Sequence, residues 1–148
     1  MKKLIDLYEL GEKEGVKFLN IDLYKTKGLT NRCSGVTLII INLKLGEAEE
    51  YIVLAHEMGH YFMDCATGFS VPVSKQIDES RAHKWKAAHL VPREKYIEVM
   101  RSPFVFNDFE AAEELGVDID SIVRVREVFR SQGLPVSQAE LDCVNREP

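Results

Sequence analysis

A helical segment containing two histidines constrains the fold of this chain more than any other feature of its sequence. Residues 47–65 begin with three acidic side chains and continue as a mainly apolar run. Acidic side chains are favoured in the first turn of a helix, because they face the positive end of the helix dipole. The run contains His56 and His60, which a helix would place on one face, one turn apart. The sequence therefore predicts a helix that holds two imidazoles side by side against the core.

The segment before this helix is the strongest strand candidate in the chain. Residues 35–41 are apolar and β-branched, and Asn42 closes the run. Residues 16–19 predict a short strand, and residues 24–35 predict either a turn or a weak edge strand. Helical spacing and breakers then predict the following elements: helices at 2–14, 78–90, 93–101, 107–115 and 119–131, a loop at 67–77, and an N-cap at Asp118. An α+β fold follows, with a short sheet and a helical C-terminal part in a single domain of residues 1–135, and with a flexible tail at 136–148.

Composition restricts the function classes that suit the chain. Its 148 residues are enough for one hydrophobic core, and a net charge of −5 disfavours non-specific nucleic-acid binding. Cys33, Cys65 and Cys143 are odd in number and form no CxxC motif, which favours free thiols in a reducing compartment. Residues 1–6 do not resemble a signal peptide, and no apolar run is long enough to cross a bilayer. A cytoplasmic protein with no membrane association is expected.

The motif His56-Glu57-Met58-Gly59-His60 predicts a metal centre. Two neutral imidazoles four residues apart on a helix can share one Zn²⁺ ion, and Glu57 lies beside that face as a candidate general base. The alternative is a pair of ordinary helix histidines, but the apolar flanks of the motif favour the metal. Gly59 removes a side chain close to this site, which would permit close backbone packing.

A catalytic zinc site needs a third protein ligand and an open position. Glu79, 19 residues after His60, is the first candidate, and Asp78 is the next. His83 lies one turn after Glu79 and is either a third candidate ligand or a partner that orients a ligand. Two histidines and one carboxylate would also suit a non-haem iron site. The donor that stabilises the oxyanion stays open among four candidates: Tyr51, Tyr61, His83 and His89.

Two sequence motifs, one after the other along the chain, resemble those of a known protein family. After the strand end Ile39–Asn42 come residues 54–61, Leu-Ala-His-Glu-Met-Gly-His-Tyr, and then residues 79–92, Glu-Ser-Arg-Ala-His-Lys-Trp-Lys-Ala-Ala-His-Leu-Val-Pro. With these motifs the chain resembles the ImmA/IrrE family of metallopeptidases over roughly residues 1–130. The resemblance implies a small zincin-like domain of the gluzincin type, with His56, His60 and Glu79 as zinc ligands and Glu57 as general base. The position after Ala82, usually Asn or Asp in that family, is His83 here.

The resemblance also implies a function. Members of the family in phages and mobile elements cleave a partner helix-turn-helix repressor and relieve repression. The alternatives are a non-catalytic, metal-stabilised module that binds a repressor, a DNA-binding regulator that uses the helix-turn-helix-like residues 107–131, and a toxin–antitoxin component. The first of those C-terminal helices is acidic, with Asp108, Glu110, Glu113 and Glu114. Packing or partner docking is therefore expected there, rather than direct contact with nucleic acid.

Overall fold

The described part of the chain combines helices with one small sheet. A computed structural model describes residues 2–67, 74–134 and 136. Along the chain, the elements are α1 (Lys2–Lys13), β1 (Lys17–Ile21), β2 (Gly28–Cys33), β3 (Val36–Asn42), α2 (Glu47–Thr67), α3 (Lys75–Leu90), α4 (Arg93–Met100), α5 (Asp108–Leu115) and α6 (Ile119–Ser131). The predicted α+β class is confirmed. The contacts group the chain into two compact units, Met1–Lys86 and Ala87–Pro148, and the interpretation of residues 1–135 as one domain stays a prediction.

The strand predicted from residues 35–41 lies at the centre of the sheet. β3 pairs in parallel with β1 and antiparallel with β2, which makes β1 and β2 the edge strands. Ile39 and Ile41 on β3 are fully buried, as expected where alternate side chains of a central strand face the core. Of the two alternatives for residues 24–35, the edge strand is the one observed. It places Thr30 of β2 opposite Ile39.

α2 packs the apolar side of its motif into the core of the first unit. Leu54, Ala55 and Met58 are fully buried, and complete burial of a leucine contributes about 2 kcal/mol. On the neighbouring turn, a Cβ atom added at Gly59 would lie 2.5 Å from the carbonyl oxygen of Ala82. The predicted close backbone approach at Gly59 is confirmed, and the partner backbone belongs to α3. The rings of Phe62 on α2 and Trp85 on α3 stack at 4.9 Å between centroids.

The second unit contains α4, α5 and α6. Tyr96 of α4 is buried, its ring contacts that of Phe129 on α6 edge-on, and its hydroxyl donates to the carbonyl oxygen of Val136 at 2.9 Å. Asp118 occupies the predicted N-cap of α6, and its carboxylate accepts a 2.6 Å hydrogen bond from the hydroxyl of Ser121. The two predicted C-terminal helices are therefore present, close to their predicted bounds.

The predicted helix at 78–90 begins earlier, at Lys75. Ser74 precedes it, and the serine hydroxyl accepts a hydrogen bond from the backbone N–H of Ile77 at 3.2 Å, which is the bonding of an N-cap. Most of the predicted loop at 67–77 and all of the predicted tail at 136–148 except Val136 lie outside the described residues. Among the described residues, no helix has the length and apolar character that crossing a membrane requires.

Candidate metal centre

α2 holds His56 and His60 next to each other at the surface of the core. The centroids of the two rings are 4.8 Å apart and the ring planes lie at 80°. The side chains are 17% and 12% exposed, so each ring is mostly buried but reaches solvent. Positions 56 and 60 lie one turn apart on the same helix face. Because the apolar side of α2 is packed into the core, the helix cannot rotate, and both histidines therefore keep this direction.

Glu79, near the start of α3, lies between the two imidazoles. One carboxylate oxygen, Oε2, is 3.0 Å from His56 Nε2, and the other, Oε1, is 3.1 Å from His60 Nε2. Two ligand atoms at 2.0–2.2 Å from one zinc ion in tetrahedral geometry lie about 3.4 Å apart. Two imidazole nitrogens and one carboxylate are a donor set that zinc accepts, and the two N···O distances are somewhat shorter than that spacing. The structure brings together all three residues predicted as ligands.

Asp78, the alternative ligand, contacts the second nitrogen of His60 instead. Its Oδ2 atom lies 3.1 Å from His60 Nδ1. A carboxylate that accepts the N–H of Nδ1 leaves Nε2, which faces Glu79, as the nitrogen that would bind a metal, and metal-binding histidines usually have such a partner. Asp78 therefore orients His60, and its position beside Glu79 explains why both carboxylates looked suitable as ligands.

Glu57, the predicted general base, is buried beside the histidines. The residue is 6% exposed, and its Oε2 atom accepts a 2.5 Å hydrogen bond from the hydroxyl of Thr30 on β2. Burial raises the pKa of the Glu57 carboxyl, while the hydrogen bond from Thr30 acts in the opposite direction. Sequence reasoning missed Thr30, because no local pattern showed that the weak strand at 28–33 would lie against the motif helix.

The surroundings of His56 favour the neutral form of its imidazole. Burial, followed by the nearby His83 and His60, lowers its pKa to about 4. A neutral imidazole has the lone pair that a metal ligand needs. Its Nδ1 atom is buried and makes no hydrogen bond to any residue that the structure describes.

Two groups of side chains around this point can hold a metal ion. In each, the ligand atoms all lie within 4.8 Å of one another: the first is His56, Glu57 and His60, and the second is His56, Glu79 and His83. The structure thus supports a metal site at this place in general terms. The identity of the ion stays a prediction.

Two clefts meet at the cluster. One, of about 300 Å³, is lined by residues that include Thr30, His60 and Asp64. The other, of about 360 Å³, is lined by residues that include His56, His83 and Lys86. Glu57 and Glu79 line both clefts, so a bound chain that passes from one cleft to the other would cross the carboxylates.

The four oxyanion candidates differ in their surroundings. Tyr61 donates its hydroxyl to the carbonyl oxygen of Glu14 at 3.2 Å. The pKa of Tyr51 is raised by burial and by Asp6, which lies on α1. His83 lines the second cleft. His89 is exposed and belongs to the second unit. Of the four candidates, His83 is the one that lines either of the two clefts described above.

Comparisons with family models, with curated proteins and with solved structures found no match to this chain. The likeness to the ImmA/IrrE family therefore stays a prediction from the two motifs.

Proposed function

We propose that this chain is a zinc-dependent peptidase. His56, His60 and Glu79 would be the zinc ligands, and Glu57 would be the general base. The observation that carries the proposal is the convergence of two Nε2 atoms on the two oxygens of one carboxylate, at 3.0 and 3.1 Å. The buried carboxylate of Glu57 lies beside these three residues. A site that only binds a metal would not need this additional carboxylate.

Zinc, when bound, would polarise the scissile carbonyl and make a water molecule acidic near neutral pH. Glu57 would accept a proton from the attacking water as the new C–O bond forms. It would then deliver that proton to the leaving amine as the C–N bond breaks. The raised pKa of the Glu57 carboxyl suits both roles, because a base with a pKa closer to neutrality also returns the proton more readily.

The proposed substrate is a protein, namely a helix-turn-helix repressor encoded beside the peptidase in a phage or mobile element. This part of the proposal rests on the resemblance to the ImmA/IrrE family. The two clefts suit an extended segment of substrate. One cleft could hold the residues before the bond to be cut, and the other could hold the residues after it. The proposed location is the cytoplasm, where such a repressor acts.

The test is incubation of the zinc-loaded chain with the purified neighbouring repressor, scored by intact-mass spectrometry. Wild type is expected to bind one zinc ion per chain and to produce two repressor fragments. Glu57→Gln is expected to keep the zinc and to lose at least about 100-fold in cleavage rate, because the base is removed and the ligands are not.

Glu50→Gln is the matched control, because it makes the same change on the same helix. Glu50 accepts a hydrogen bond from the hydroxyl of Tyr8, which a glutamine oxygen can also accept. Its cleavage rate should equal that of wild type. Undiminished cleavage by Glu57→Gln would refute the mechanism, and a wild-type chain that takes up no zinc would refute the site.

A further inference from the structure

We propose that His83 is a fourth protein ligand of the metal, so that the site contains three imidazoles and one carboxylate. This inference rests on the proposed metal site. The Nε2 atom of His83 lies 3.8 Å from Glu79 Oε2, and the same oxygen lies 3.0 Å from His56 Nε2. One carboxylate oxygen is therefore shared by two imidazoles, one from α2 and one from α3.

The spacing of these atoms is within the reach of one ion. Ligand atoms in a tetrahedral zinc site lie about 3.4 Å apart, so the 3.8 Å separation between His83 Nε2 and Glu79 Oε2 requires only a small movement of a side chain. His56, Glu79 and His83 also form a group whose ligand atoms all lie within 4.8 Å of one another. The rings of His56 and His83 are also in contact, with centroids 4.2 Å apart and planes tilted by 35°.

An alternative role for His83 is to orient a ligand through a hydrogen bond. For His60 that role belongs to Asp78, which contacts its Nδ1 atom at 3.1 Å. For His56 the atom to be bonded would be Nδ1, which makes no hydrogen bond to a described residue. His83 instead faces the shared oxygen of Glu79 and lines the second cleft. This position puts His83 Nε2 beside the oxygen of a proposed ligand, as expected for a fourth ligand, and a count of the imidazoles on the metal separates ligation from an orienting contact with Glu79.

A fourth protein ligand has a consequence for the site. Catalytic zinc sites keep one position open, whereas sites with four protein ligands are closed. With His83 bound, the resting site would be closed and would hold the metal more tightly than a site with three ligands. Hydrolysis would then require His83 to leave, and the 30% exposure of its side chain at the edge of a cleft leaves room for that movement.

The first experiment uses the unmodified zinc-loaded chain. X-ray absorption at the zinc edge counts the imidazole ligands, and three are expected. A count of two overturns the proposal. Because this measurement needs no variant, it does not depend on whether a substituted chain folds.

The second experiment compares zinc affinity by competition with a chelator. His83→Ala and His83→Asn are both expected to weaken zinc binding by at least about tenfold, with two imidazoles left in the absorption spectrum. Asn keeps a polar side chain but no imidazole, so a mere hydrogen-bonding role would be rescued by it. Wild-type affinity in His83→Asn would overturn the proposal.

His89→Ala is the matched control, because it removes an exposed histidine from the same helix. Its zinc affinity and imidazole count should equal those of wild type. The outcomes also separate this inference from the proposed function. Two imidazoles with repressor cleavage intact would refute the role of His83 alone, whereas three imidazoles without any cleavage would refute the peptidase alone.

Discussion

The hydroxyl of Thr30 positions the buried carboxylate of Glu57. A carboxylate with little exposure loses most of its hydration, and the hydrogen bond from Thr30 replaces part of that loss. The bond also fixes the direction of the carboxylate, because β2 is tied to β3 along its length. Thr30 is thus a positioning residue for the proposed general base.

Thr30→Val tests this role, because valine has nearly the shape of threonine and no hydroxyl. We expect kcat/KM for repressor cleavage to fall by about tenfold at unchanged zinc content, since the carboxylate loses its fixed direction. Thr30→Ser keeps the hydroxyl and should retain most of the activity. Equal rates for the valine and serine variants would show that the hydrogen bond does not contribute.

At the scale of elements, the site depends on how closely α2 and α3 approach. α2 provides both histidines of the motif, and α3 provides Glu79. The approach is closest at Gly59, where an added Cβ would lie 2.5 Å from the backbone oxygen of Ala82 and 3.0 Å from its Cα. A backbone cannot move aside as a side chain can, so any residue larger than glycine must push the helices apart.

Gly59→Ala should therefore destabilise the fold, by about 1–3 kcal/mol in urea unfolding. Helix propensity alone predicts the opposite sign, a gain of about 1 kcal/mol for alanine over glycine within a helix. Zinc affinity should fall together with stability, because the proposed ligands come from both helices. A variant more stable than wild type would show that the close approach does not limit the packing.

At the scale of the whole molecule, the stability of the chain should depend on pH through Asp108 and Arg126. Two guanidinium nitrogens of Arg126 donate to the two oxygens of Asp108, and a third donates to the hydroxyl of Tyr96 at 3.3 Å. The hydrogen bond from Arg126 lowers the pKa of Asp108. A carboxyl with a lowered folded-state pKa stabilises the fold above its unfolded pKa, and that stabilisation is lost as the pH falls through the folded pKa.

Asp108→Asn should cost about 1 kcal/mol of unfolding free energy at pH 7, and the difference from wild type should shrink below about pH 4. The cost is modest because solvent screens both side chains, which are 37% and 25% exposed. Asp120→Asn is the control, because it removes a pairing between neighbouring turns of one helix, with Arg124, and should cost under about 0.5 kcal/mol. Urea unfolding at several pH values measures both, and a constant cost of Asp108→Asn across pH would contradict the assignment.

Local signals in the sequence were sufficient for most helices and for the central strand. The apolar β-branched run predicted β3, and the acidic start followed by an apolar run predicted α2 with its two histidines. These features depend on neighbours a few residues apart, which helix and strand geometry relate directly. The start of α3 was also encoded locally, by the N-cap at Ser74, but it was missed.

Tertiary structure alone decided which distant residues meet at the site. It places the edge strand β2 so that the hydroxyl of Thr30 donates to Glu57. It also places the two oxygens of Glu79 against two different imidazoles, and the carboxylate of Asp78 against Nδ1 of His60. The spacing along the chain made either Glu79 or Asp78 a possible ligand, because both lie at the start of one helix. The approach of α3 to α2, with its close backbone contact at Gly59, determines which imidazole nitrogens each carboxylate contacts. A local sequence pattern cannot predict this contact, because Gly59 and Ala82 lie more than twenty residues apart in the chain.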